Sequence, residues 1–233
     1  MKVRKFFKRI LMLYDLYHCL PMFFFMLFYL LWFRIIEYIP RSFYLQILLK
    51  IDRYIPLIEC FVLPYISWFF YMIYSMADLF VRDKDAYDKA CTMLMIGMTV
   101  FLLISTVCPN RQPLRLVEFP RDNVFTRMIG RLWKTDTPTN VFPSIHVFNT
   151  LCVESMLLKT KCEKYRRPGI RIATVIWAAL IILSTLFIRQ HSMFDVLTAF
   201  ALFAVCYYIV IFRGTVFYFR KWDCFARTVI DRL

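Results

Sequence analysis

Glycine and acidic residues are scarce in this chain: 4 Gly in 233 residues, and 16 Asp and Glu against 30 Lys and Arg. With only 10 Pro as well, a disordered or fibrous chain is excluded. None of the eight cysteines forms a Cys-x-x-Cys pair and most fall inside apolar blocks, which argues against a disulfide framework or a zinc site. The net charge of +14 comes without a nucleic-acid recognition module, so no nucleic-acid partner is expected. A basic N-terminal stretch, Lys2 to Arg9, leads into apolar sequence, but no small-x-small cleavage site follows. The first apolar block is therefore expected to be a retained helix rather than a signal peptide.

What is abundant is apolar and aromatic sequence. Hydrophobic residues make up 61% of the chain, with 25 Phe and 14 Tyr, against about 45–50% apolar in soluble domains. The excess lies in long blocks of the length that crosses a bilayer. Six spans are expected: Cys19 to Ile39, Ile55 to Tyr74, Ala90 to Val107, Val141 to Leu158, Ile172 to Ile188 and Val196 to Phe212. The fourth is the most polar, since it holds His146, Asn149 and Glu154. The fold class expected is all-α, one polytopic helical membrane domain over residues 1–233, with neither a soluble domain nor a repeat.

Orientation follows from where the cations fall. With the N-terminus inside, cytoplasmic segments hold 19 of the 30 Lys and Arg, including Lys159, Lys161, Lys164, Arg166, Arg167 and Arg171 in one connection. Both termini are thus expected in the cytoplasm, in contact with anionic headgroups.

The same alternation gathers unusual residues at the opposite face. Ionisable groups at membrane helix ends are costly and need a reason. Of three His, His18 has no motif around it and reads as interfacial. His146 opens the fourth span, and His191 follows the fifth with Asp195 four residues on. Arg111, Arg115, Ser144, His146, Arg189, His191 and Asp195 then share one membrane face. An Asp four residues from a His can fix its tautomer and leave the other ring nitrogen as a nucleophile. A second His can shuttle a proton. Arginines bind phosphate oxygens, and so do N–H groups at a helix start. Together these residues suit phosphoryl transfer on a lipid. A transporter or channel with a basic vestibule is the other reading of the same spacing.

At these residues the sequence resembles the type 2 phosphatidic acid phosphatase superfamily, relatives of the vanadium haloperoxidases. That family carries Lys-x6-Arg-Pro, Pro-Ser-Gly-His and Ser-Arg-x5-His-x3-Asp. Pro143-Ser144-Ile145-His146 matches the second motif with Ile145 in the Gly place. Ser184, His191 and Asp195 match the third, with Thr185 in the Arg place. Arg115 fits the first, with Cys108 and Leu116 in its Lys and Pro places. The motifs span residues 108–195. The resemblance implies a metal-independent, cofactor-free enzyme in which His191 is the nucleophile, Asp195 orients it and His146 is the general acid. Arg115, Ser144 and Ser184 would hold phosphate. Arg189, four residues past Thr185, is expected on the same helix face and in place of the missing guanidinium. The implied activity is hydrolysis of a lipid phosphomonoester or diphosphate at the outer face of the plasma membrane. Headgroup transfer to another alcohol, and a non-catalytic lipid-binding or transport protein, are the alternatives. The implied partners are a lipid phosphate and the surrounding membrane lipids.

Three further readings concern neighbours of this set. Glu118, Asp122 and Asp136 read as solvated or loop-capping, and Thr135 to Asn140 as a turn that positions Ser144 and His146. Glu154 reads as a helix-packing hydrogen bond. The spacing of Arg34 and Glu37 lets them pair on one helix face.

Overall fold

The helices start where side chains can satisfy the first free backbone N–H groups. In the computed structural model, which describes residues 2–216, the helices are α1 (Lys2–Tyr38), α2 (Val62–Arg82), α3 (Lys84–Val107), α4 (Val124–Thr135), α5 (Ile145–Lys159), α6 (Glu163–Arg166), α7 (Pro168–Phe187) and α8 (Met193–Tyr207). Asp83 caps α3 by accepting from Ala86 N, and Ser144 caps α5 by accepting from Val147 N. Asn123–Thr126 and Ser192–Asp195 form reciprocal capping boxes at α4 and α8. Pro168 sits at the first position of α7, where its missing N–H costs nothing.

Five helices are long and apolar enough to cross a membrane: His18–Tyr38, Glu59–Arg82, Lys84–Val107, Pro168–Phe187 and Met193–Phe212. Their outward surfaces are apolar, with Phe23, Phe24, Leu31, Phe69, Phe70, Ile172, Ile176, Leu197 and Phe200 all exposed, while Asp88, Thr92, Ser105, Asn149 and Glu154 are buried. That inversion of the soluble pattern is what a lipid surround requires, since polar groups then belong inside the bundle. The chain is an all-helical, integral membrane protein.

The expected fourth span departs from this set. Its helix, α5, has 15 residues, about 22 Å against a hydrocarbon core of about 30 Å. It starts late because residues 141–142 are held by the Asn110 side chain, whose Oδ1 accepts from Val141 N at 2.9 Å and Phe142 N at 3.0 Å, and because Pro143 has no N–H to give. It stops where the Thr160 hydroxyl donates to Asp83 at 2.6 Å. α5 packs against α2, α3, α7 and α8, and Val147, Phe148, Cys152, Val153, Met156 and Leu157 are all buried. A helix buried on all sides can be short, because its neighbours and not the lipid set its length. Glu154, inside, accepts from Tyr71 Oη at 2.8 Å and Thr174 Oγ1 at 3.0 Å, the helix-packing role expected of it.

His18 is buried too and shares a hydrogen bond with Asp88 at 2.8 Å, which joins α1 to α3 and corrects its reading as an interfacial residue. The cytoplasmic C-terminal segment expected from Arg213 onward lies largely outside the described residues, which end at 216.

At the end of the bundle where α3 and α7 finish and α5 and α8 begin, loops form a small lattice. Strands β1 (Leu45–Gln46) and β2 (Asn110–Arg111) pair in parallel, and Arg111 bridges Thr139 on its other side. This lattice fixes the chain just before α5.

Candidate active site

The His191–Asp195 pair forms as the four-residue spacing predicts. His191 Nδ1 lies 3.3 Å from Asp195 Oδ2, and both residues are buried. Asp195 is the third residue of α8, and the same Oδ2 accepts from Ser192 N at 2.9 Å, so one carboxylate oxygen both caps the helix and faces the imidazole. The other carboxylate oxygen, Asp195 Oδ1, is buried without a hydrogen-bond partner among the described residues.

His146 comes to the same place from α5. Its ring centroid is 5.7 Å from that of His191. Tyr65 and Trp68, one turn apart on α2, flank it at 4.8 and 4.4 Å. Its Nδ1 and Trp68 Nε1 are both buried and without a partner in the described chain. Ser144 ties the two helix starts together, since its N–H donates to Asp195 O at 3.2 Å. The two imidazoles and the carboxylate therefore converge, with polar atoms left unpaired beside them. Such groups cost about 1–3 kcal/mol each when buried, so they mark a place built to hold something polar.

The residues expected to hold phosphate are placed less uniformly. Arg115 Nη1 donates to Trp133 O at 2.8 Å, and its Nη2 to Asp136 O and Gln190 Oε1, both at 2.6 Å. It thus clasps the C-terminus of α4 to the residue before His191. Burial lowers its pKa, partly offset by Asp136 and Tyr65. Ser184 is buried and donates into its own helix, to Ile181 O at 2.5 Å. Arg111 stays exposed, its backbone in β2.

Arg189 departs from expectation. It does not continue the face of α7: the helix ends at Phe187, and Arg189 has φ 56°, in the left-handed region. The N–H groups of Gln190 and His191 both donate to Thr185 O at 3.0 Å, which closes the helix end in a tight C-terminal turn. The Arg189 guanidinium consequently points sideways and donates to Leu114 O at 3.2 Å and Ile55 O at 3.3 Å, with Nε buried and unpartnered among the described residues. Left-handed backbone is rare away from Gly and Asn, so motif spacing gave no sign of it.

Several residues that shape the site were not singled out by their sequence context. Asp136, expected to be solvated or a loop cap, accepts from Tyr65 Oη at 2.9 Å and from Gln190 Nε2 at 3.0 Å. Gln112 grips the peptides on either side of residue 190, donating to Arg189 O at 3.0 Å and Gln190 O at 3.2 Å. Asp52 accepts from Met193 N at 2.7 Å and so holds the first turn of α8. Glu37 leaves Arg34 aside and accepts instead from Thr137 Oγ1 at 2.6 Å, Thr139 Oγ1 at 3.2 Å and Asn140 Nδ2. It pins the turn that leads to Ser144, the positioning role expected of Thr135 to Asn140. A local sequence signal did exist for one pair: Ser192-x-x-Asp195 is a capping-box pattern.

Set against models of known protein families, curated proteins and solved structures, the chain matches none.

Proposed function

We propose that this chain is a membrane-embedded lipid-phosphate phosphatase of the kind its motifs resemble. The observation that carries the reading is the joint placement of His191 Nδ1, 3.3 Å from Asp195, and the His146 ring, 5.7 Å from that of His191, at one end of an apolar bundle. In the proposed cycle Asp195 holds the His191 Nδ1 proton and leaves Nε2 to attack phosphorus. The bond from phosphorus to the lipid oxygen breaks as His146 gives that oxygen a proton. Water then attacks phospho-His191, His146 takes its proton, and inorganic phosphate leaves. Arg115 and Arg189, with the N–H groups at the start of α5, supply the positive potential around the phosphoryl oxygens. Ser144 and Ser184 shape that pocket, and Arg111 lies at its outer rim.

In this reading α5 serves as a sixth, enclosed membrane segment. The termini lie in the cytoplasm and the histidines at the extracytoplasmic face of the plasma membrane. The basic connection from Lys159 to Arg171 supports that orientation. Cys162 in that connection should resist an impermeant thiol reagent in intact cells, and its ready labelling would reverse the orientation.

The chemistry is tested by measuring phosphate release from phosphatidic acid, phosphatidylglycerol phosphate and a polyprenyl diphosphate by the full chain in detergent. Turnover should vanish in His191→Ala, while His146→Ala should still form phosphoenzyme from a substrate with an activated leaving group. Wild-type turnover in His191→Ala would sink the proposal. Headgroup appearing on an added alcohol, in place of free phosphate, would make the enzyme a transferase built on the same residues.

A further inference from the structure

Away from the histidines, the same end of the bundle carries a second concave surface. It is a groove of about 500 Å3 lined by Phe119, Arg121, Asp122, Arg127, Arg131 and Lys134, with Thr126 and Gly130 in its floor. Its charge is nearly all of one sign. Asp122 pairs with Arg127 at 3.2 Å, and Arg121, Arg131 and Lys134 have no acidic partner among the described residues. Three cations therefore stand uncompensated around one hollow.

The reason lies in α4. Phe125, Met128, Ile129, Leu132 and Trp133 turn to the bundle and pack with Val62, Tyr65, Phe61 and Ile188. Arg127, Arg131 and Lys134, spaced by four and three, fall on the opposite stripe. The helix is held in that attitude by Trp133 Nε1, which donates to Ile188 O at 3.2 Å, and by the Arg115 clasp on its C-terminus. Two apolar side chains of the same segment are left in the open, Val117 in the loop before α4 and Val124 at its first residue. A basic stripe flanked by exposed apolar residues, at the end of a membrane bundle, suits the boundary between headgroups and acyl chains.

We propose that this groove binds the headgroup of an anionic phospholipid, as a second lipid site separate from the His191 pocket. The phosphodiester sits among Arg121, Arg131 and Lys134, and Val117 and Val124 rest against the first methylenes of its chains. The proposal rests on the membrane reading of the fold and does not require that the histidines be catalytic. Each basic side chain near an anionic surface is worth roughly fivefold in binding, so losing three should cost well over tenfold. Because the groove is open, that preference should weaken as ionic strength rises.

The test uses the full chain and its His191→Ala variant, released from detergent into native mass spectrometry with phosphatidylglycerol or phosphatidylcholine added in equal amounts. Phosphatidylglycerol should be retained at least tenfold over phosphatidylcholine in both proteins. The preference should disappear in the triple variant Arg121→Gln, Arg131→Gln, Lys134→Gln. Gly130→Glu offers an independent check: a Cβ there meets only the Phe119 ring, at 3.6 Å, so the new carboxylate fits the floor and should also abolish the preference. Equal retention of the two lipids, or undiminished preference in both variants, would overturn the proposal. So would complete displacement of the lipid by an equal concentration of inorganic phosphate, which would make the groove a site for soluble anions.

Discussion

Removing the Arg115 side chain should destabilise the protein as well as stop its chemistry. The guanidinium donates to Trp133 O, Asp136 O and Gln190 Oε1 at 2.6–2.8 Å, and so joins the last turn of α4, the lead-in to α5 and the residue before His191. Hydrogen bonds from a charged donor contribute about 1.5–3 kcal/mol each. Three independent bonds would set a ceiling of about 9 kcal/mol, but Arg115 is only partly buried and water can replace some of them. We therefore expect Arg115→Ala to cost about 2–4 kcal/mol, a fall of roughly 5–15 °C in melting temperature for a chain of this size. Arg115→Lys should restore less than half, since one ammonium cannot reproduce a planar fork that meets three acceptors. The chain supplies its own reporter: Cys91, Cys152 and Cys206 are buried in the core. A thiol-reactive fluorophore in a background in which Cys19, Cys60, Cys108, Cys162 and Cys224 are all changed to Ser, so that only these three buried thiols remain, would follow unfolding in detergent. If Arg115→Ala melts within a degree of the parent while turnover collapses, the guanidinium serves phosphate alone and the clasp contributes nothing.

Two other perturbations read different parts of the fold. A Cβ at Gly97 on α3 would stand 2.0 and 2.2 Å from ring carbons of Phe148, which is buried on α5. Gly97→Ala should therefore cost about 1–3 kcal/mol by overpacking, and Phe148→Leu in the same protein should recover most of the melting temperature; an unshifted Gly97→Ala would mean that the two helices separate freely. At Arg189 the left-handed backbone favours glycine, so Arg189→Gly should melt higher than Arg189→Ala by the equivalent of about 1 kcal/mol. Both variants should lose on the order of 100-fold in turnover if the guanidinium contributes to the phosphoryl site. Near-normal turnover in Arg189→Gly would leave the residue as an anchor for the loops at Leu114 and Ile55.

What the sequence made legible about this site is local, and what it concealed is not. His191 and Asp195 are one helical turn apart, and Ser144 precedes an apolar helix, so spacing alone brings out the pair and the cap. Alternating the spans across a membrane was then enough to bring His146 to the same end. Apolar content, however, does not separate a helix that faces lipid from one enclosed by other helices, which is why α5 read as a full span although it has 15 residues. Arg189 misled for a related reason: a four-residue step implies a shared face only while the helix lasts, and α7 ends at Phe187. The supporting contacts lie further out of reach. Asp52 holds Met193 across 141 residues of chain, Glu37 holds Thr139 across 102, and Asp136 meets Tyr65 across 71. An isolated Asp in a polar loop looks the same in sequence whether water or a buried tyrosine receives it. The two histidines are thus set on helix starts held by residues from the first third of the chain, Asp52 and, at the end of α1, Glu37. Substitutions at Glu37 or Asp52, far from either histidine in sequence, act on the geometry of the pair before they act on anything else.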